Sequence, residues 1–270
     1  MYSRVQFFFA VILLVSSSVA FSQEPQIQLS TPKQLYFEGV KNYQSKDYKK
    51  ASESFRMAFE KAPMNRSILF NWGLSEYQLG HIGMAAAAWR RTLSMDPDFG
   101  AARRALNFIS PKISAANAGE KSFFETFRSI VLQNVTGMQI GLLGLLLFIV
   151  TGWTWLSYFG KHRRALIEQK SFPSFPVFSV IYVALLALTL FTGVGKIYDF
   201  FQPRATIVTT SASVFSGPND KSPTLFEISE GFEVILRRRT QGWSQVASPG
   251  GLSGWVKQES LFQTSGFHRW

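Results

Sequence analysis

The stretch LYFEGVKNYQSKDYKKASESFRMAFEKAP, residues 35–63, returns 34 positions later as LFNWGLSEYQLGHIGMAAAAWRRTLSMDP, residues 69–97. The shift superposes Leu35 on Leu69, Gly39 on Gly73, Tyr43 on Tyr77, Ala51 on Ala85, Phe55 on Trp89 and Pro63 on Pro97. A fixed period of this size marks stacked supersecondary units, here pairs of helices. Gly39 and Gly73, with the small Ala51 and Ala85, fall where two helices of one unit must approach closely, and Phe55 and Trp89 fill the space between them. Pro63 and Pro97 end the second helices, because proline cannot continue a helix. Thr31-Pro32 supplies an N-cap and a favoured first helical residue.

Phe99, Ala102, Leu106 and Ile109 form an apolar stripe at helical spacing, which reads as a final helix covering the second unit. Two units and a cap, residues 30–110, make a short solenoid, so this region is expected to lean on a neighbour or a second copy. Residues 111–133, opening on a stretch rich in Ser, Ala, Asn and Gly, read as a linker.

Upstream of the repeats, Arg4 precedes an apolar run from Val5 to Val15 and then small residues through Ser22. That order is a secretory signal over residues 1–22, with cleavage expected after Ala20 or Ser22. Downstream, no charge occurs between Ser129 and Gly160 or between Ser171 and Gly195. Two membrane helices are expected there, over 134–159 and 175–198. The hairpin between them, 160–174, carries Lys161, Arg163, Arg164 and Lys170 against Glu168, and the positive-inside rule puts it in the cytoplasm. Trp153, Trp155 and Tyr158 then fall at one interface and Tyr198, Phe200 and Phe201 at the other. Leader and loop charge independently place both the N-terminal and the C-terminal domain on the outer side of the membrane. Gly137 and Gly141 make a small-xxx-small step on the first span, a surface for close helix packing, with Gln139 beside it as a hydrogen-bond donor.

From Pro203 the pattern changes to short β runs, Ala205 to Thr209, Ala212 to Phe215, Phe232 to Arg237, Trp243 to Ala247 and Gly254 to Lys257, separated by glycine and proline turns. Regular strands with turn chemistry indicate a small barrel over 203–264.

The totals narrow the function classes. With no cysteine among 270 residues, disulfides, thiolate metal sites, a lipid-modified cysteine and cysteine nucleophiles are all excluded. The net charge of +11 is spread along the chain, so it forms no basic arm for nucleic acid. His81, His162 and His268 fall in three different regions, which leaves neither a Ser-His-Asp triad nor a histidine metal cluster to build on. Asp96 and Asp98 sit at a helix boundary, where capping is their ordinary role. No phosphate-cradling loop is present. The chain therefore reads as a non-enzyme without cofactor or metal.

The 34-residue period, with its Gly, Ala and Pro positions, resembles tetratricopeptide (TPR) repeats. In such domains the first helix of each repeat lines the concave groove, which implies Tyr36, Val40 and Tyr43 from one repeat and Phe70, Leu74 and Tyr77 from the next as partner-binding residues. The alternative is that some of these side chains pack the repeats together. Val214-Phe215-Ser216-Gly217-Pro218, Gly231, Gly242-Trp243-Ser244-Gln245-Val246 and Gly254-Trp255-Val256 resemble bacterial SH3-like domains. Trp243 and Trp255 are either its ligand platforms or part of its core, and a tryptophan after a turn glycine in so small a domain is more often core. Arg237-Arg238-Arg239 reads as a solvated strand end.

The order of signal, TPR repeats, two spans with a basic hairpin and a terminal SH3-like domain is similar to the TPR-SH3 proteins of bacterial aerotolerance (Bat) operons. That resemblance implies an envelope scaffold whose partners are membrane proteins with von Willebrand A domains. The alternative is a module that binds or tethers the cell wall through peptidoglycan.

Overall fold

The computed structural model describes residues 30–116, 123–132, 135–248 and 251–266; the expected signal segment lies outside them. Helices α1 (Pro32–Gln44) and α2 (Tyr48–Lys61) are followed by α3 (Arg66–Gln78) and α4 (Ile82–Met95), so every boundary of the first pair recurs 34 residues on. Asp47 caps α2 by accepting from the Lys50 N–H, and Asn65 caps α3 by accepting from Ser67 and Ile68. The close approaches inside the pairs are real: a Cβ on Gly39 would lie 2.7 Å from the Phe55 ring, and one on Gly73 would lie 2.5 Å from the Trp89 indole nitrogen. Only glycine fits there.

Helix α5 (Gly100–Ala116) corrects the reading of residues 111–133 as a linker. It runs through Pro111. Proline removes one backbone hydrogen bond but does not end the helix, because the apolar stripe continues beyond it. Ile109 and Ile113 are both buried in the core that α5 shares with α3 and α4. Within the same expected linker, a short helix α6 (Phe123–Phe127) passes directly into a π-helical turn, Arg128–Leu132.

Helix α7 (Gly137–Ile167) begins with a capping box in which Thr136 and Gln139 satisfy each other's backbone N–H. That assigns the Gln139 side-chain oxygen to the cap. α7 has 31 residues and α8 (Val177–Phe201) has 25, which at 1.5 Å per residue gives lengths of about 46 and 37 Å. Both are long and apolar enough to cross a bilayer, and hardly any of their most apolar surface is buried within the protein. Leu145, Phe148, Leu188 and Phe191 stand outward. A soluble helix pair would hide such residues, so these helices associate with membrane. α7 continues past the expected end of the first span, so Lys161, Arg163 and Arg164 lie on its last turns. The turn itself is confined to 168–176. Here Trp155 and Tyr158 pack edge-on against Phe175, and His162 stacks on Phe172 at 4.6 Å.

The C-terminal part is a seven-stranded antiparallel sheet of β1 (Arg204–Ile207), β2 (Ser211–Phe215), β3 (Thr224–Ser229), β4 (Glu233–Thr240), β5 (Trp243–Ala247), β6 (Ser253–Lys257) and β7 (Leu261–Gln263), in the order β3-β2-β6-β5-β4-β1-β7. β3 and β7 add to the strands expected from sequence. Alternation puts Ala205, Ile207, Val214, Val234, Val246 and Val256 into one core. Gly254 lets β6 cross β2 against Val214 and the Phe215 carbonyl.

Candidate functional site

The sheet is docked on α2, α3, α4 and α5 through β1, β7 and the turn between β3 and β4. Phe262 of β7 places its ring 6.0 Å from Phe59 of α2 and 5.8 Å from Trp72 of α3. The Gly83 N–H of α4 donates to the Glu230 carboxylate at 2.9 Å, and a Cβ on Gly83 would strike the Ile207 carbonyl at 2.7 Å. Arg90 of α4 donates to Thr206 Oγ1 at 2.8 Å and to the Gly231 carbonyl at 2.6 Å. Ile113, from the turn of α5 beyond Pro111, rests on Gly231, whose φ of +75° and lack of a side chain admit it. The support that two repeats need comes from this sheet.

Beside the seam lies a buried ion cluster drawn from five elements. Arg128, in the π turn, donates to Asp199 of α8 at 2.7 Å and to Glu233 of β4 at 2.9 Å, and reaches Glu125 of α6 at 3.4 Å. Arg204, at the start of β1 and 1% exposed at its side chain, meets Glu125 at 2.9 Å, Asp199 at 3.1 Å and Glu233 at 3.7 Å. With Arg90 adjacent, three guanidiniums face three carboxylates and the cluster is close to neutral.

The electrostatics follow from that balance. Burial on its own would raise the Glu233 carboxyl; Arg128, Arg90 and Arg204 overcome it and hold the group down to about 2. Burial opposes the charge on Arg128, but Glu233, Asp199 and Glu125 reverse it and push the guanidinium above its ordinary value. Arg90 is drawn below its ordinary value, chiefly by burial. Such a cluster is costly to open once formed, because removing one member leaves the others charged and buried. It joins the second membrane-length helix, the segment entering the first, and the sheet.

The structure divides the residues singled out in the sequence. Tyr36, Val40 and Tyr43 are half-buried against the Phe55, Leu69 and Trp72 core. The Tyr36 hydroxyl accepts from Asn71, and Tyr43 packs edge-on against Tyr48. Phe70, Leu74 and Tyr77 are also half-buried, and here α5 and the residue just ahead of it supply cover: Phe70 meets Phe99 at 5.2 Å and Tyr77 meets Phe108 of α5 at 6.1 Å. One half of the candidate groove is therefore covered by the chain's own helix.

Trp243 is only 8% exposed, held edge-on by Phe215 at 5.3 Å with the Lys257 ammonium 5.8 Å from its ring. It floors a shallow cleft of about 290 Å³ lined by Asp220, Gly242, Lys257, Gln258 and Glu259. Trp255, half-buried, pairs with Phe215 and Gln245 across its neighbouring strands. Gly137 and Gly141 have nothing within 4 Å of where a Cβ would stand, whereas Gly144 faces Thr189 and Gly193 faces Ile140. The contact between α7 and α8 thus uses the second pair of glycines and leaves the first pair open to another helix. Among the described residues there is no group of three or more His, Asp or Glu arranged to hold a metal.

Sequence reasoning missed the ion cluster. Its one local trace is that Arg128, Asp199 and Arg204 stand as isolated charges at the borders of long uncharged runs, where an unpaired charge is expensive. No protein-family model matches this chain, and no curated protein matches it either.

Proposed function

We propose that the chain is a non-enzymatic scaffold of a bacterial inner membrane. In this reading α1 to α5 are TPR repeats with a capping helix, the sheet is an SH3-like domain, α7 and α8 cross the membrane, and both soluble parts face the outer side. The observation that carries the proposal is the joined construction: two helix pairs and a sheet share a packed seam, and a buried ion cluster ties that seam to the second membrane-length helix and to the segment that leads into the first. A rigid presentation of binding surfaces at a membrane suits a scaffold, because preorganised surfaces lose less freedom on association. The α1 face with Tyr36, Val40 and Tyr43 would take a helix or extended segment of a partner, and Gly137 and Gly141 would seat a partner's membrane helix. Resemblance to the aerotolerance-type proteins makes membrane proteins with von Willebrand A domains the partners of choice.

A second reading rests on the Trp243 cleft, where an aromatic floor, the Asp220 carboxylate and the Lys257 ammonium stand together. These would suit a zwitterionic peptide stem of peptidoglycan. Purification of the tagged full-length protein from its native membranes in mild detergent, with mass spectrometry of what accompanies it, separates the two. The scaffold reading expects membrane proteins that are lost with Tyr43→Ala. Recovery of muropeptides with no protein partner would replace it with the cell-wall reading.

A further inference from the structure

The short segment of α6 and the π turn, Phe123–Leu132, has two chemically different sides. Glu125 and Arg128 turn into the ion cluster, where their side chains are 10% and 12% exposed. Phe127 and Leu132 turn to α8: the Phe127 ring lies 5.9 Å from that of Phe191, and both side chains lie against Gly195, where a Cβ would stand 3.5 Å from one and 3.8 Å from the other. Thr126 and Ile130, four residues apart and so on one helical face, are exposed, Ile130 to 65%.

The depth of this segment follows from α8. Its residues carry no charge from Val177 to Gly195, and the first cation is Lys196. At 1.5 Å per residue, Gly195 lies about 6 Å and Phe191 about 12 Å further along the helix axis than Asp199. A hydrocarbon layer of about 30 Å takes up some 20 helical residues, so the positions that hold Phe127 and Leu132 fall inside it. The neighbouring helix agrees, since Ile140 of α7 stands opposite Gly193. Backbone groups at that depth need partners, and the Lys196 ammonium donates to the Leu132 carbonyl at the end of the turn.

We propose that Phe123–Leu132 is a lipid-inserted collar: its Thr126/Ile130 face lies in the glycerol and acyl-chain boundary of the leaflet on the sheet side, while its charges are withdrawn into the ion cluster. The ligand is the phospholipid bilayer itself. The collar rests on the reading of α7 and α8 as membrane spans. It holds the sheet against the bilayer surface through Arg128 and Glu233, where a flexible linker would leave the sheet free to move away.

The natural chain has no cysteine, so single cysteines introduced at Ile130, Thr126, Phe148 and Lys112 carry spin labels without background. The full-length labelled proteins are placed in vesicles of phosphatidylethanolamine and phosphatidylglycerol, and the accessibility of each label to oxygen and to a water-soluble nickel chelate is measured. The Phe148 label, outward on α7, reports whether the spans are in lipid; the Lys112 label, exposed on α5, reports water. The collar expects the Ile130 and Thr126 labels to be shielded from nickel at least tenfold relative to Lys112, at a shallower depth than Phe148. If Phe148 is shielded but Ile130 and Thr126 match Lys112, the collar is wrong and the spans stand. Nickel access at Phe148 would overturn both.

Discussion

Replacing Glu233 by glutamine is the most direct test of the ion cluster, since it removes one buried charge and keeps the shape of the side chain. The folded carboxyl titrates at about 2 against an ordinary 4.5, and that difference corresponds to about 3 kcal/mol of stabilisation at pH 7. The sign is that of a depressed acid: the contribution is fully present above the unfolded value and disappears as pH falls through the folded one. It stays at about 3 kcal/mol at pH 5 and falls to about 2 kcal/mol at pH 3.5. Hydrogen exchange of the β1 and β4 amides in the detergent-solubilised full chain reads local opening directly. Glu233→Gln should speed that exchange by about a hundredfold at pH 7. The thermal stability gap between the two proteins should be flat from pH 7 to pH 5 and narrow below that. A change in exchange of less than threefold, or a gap that widens in acid, would refute the assignment of Glu233 as a charged member of the cluster.

Gly73→Ala should destabilise the repeats by about 1–2 kcal/mol, because overpacking against the buried Trp89 outweighs the gain in helix propensity. Gly100→Ala, whose Cβ would meet only the tip of Arg104, should be neutral or stabilising in the same far-ultraviolet melts. Phe262→Ala removes two ring contacts at the seam and should weaken docking of the sheet on the helices by about 1–3 kcal/mol. Faster exchange in α2 and α3 and a red-shifted Trp72 emission would register it, and unchanged exchange there would mean the seam is held elsewhere.

What could be read from sequence was local or periodic. The shift of 34 residues located the four helices, and Gly39 with Phe55 and Gly73 with Trp89 announced their contacts, since each pair is 16 residues apart within one unit. The apolar runs announced α7 and α8, because a bilayer imposes both length and composition. β3 and β7 escaped notice: β3 is largely exposed, so only Phe226 and Ile228 turn toward the core, and β7 has three residues. The Ser, Ala, Asn and Gly content after Pro111 pointed to a linker, although the spacing of Phe99, Ala102, Leu106 and Ile109 continues to Ile113. The ion cluster is a product of the tertiary fold, with Arg128 bonded to residues 71 and 105 positions away. No window of sequence brings such residues together.

In the proposed topology α7 and α8 cross one bilayer and leave the helical repeats and the sheet on its outer face. Single cysteines at Lys33, Ser171 and Arg237, all exposed, can be challenged with a membrane-impermeant maleimide in intact spheroplasts. In that topology Lys33→Cys and Arg237→Cys label at once, and Ser171→Cys only after the membrane is permeabilised. Equal labelling of all three before permeabilisation, or protection of either soluble part while Ser171→Cys reacts, would contradict it.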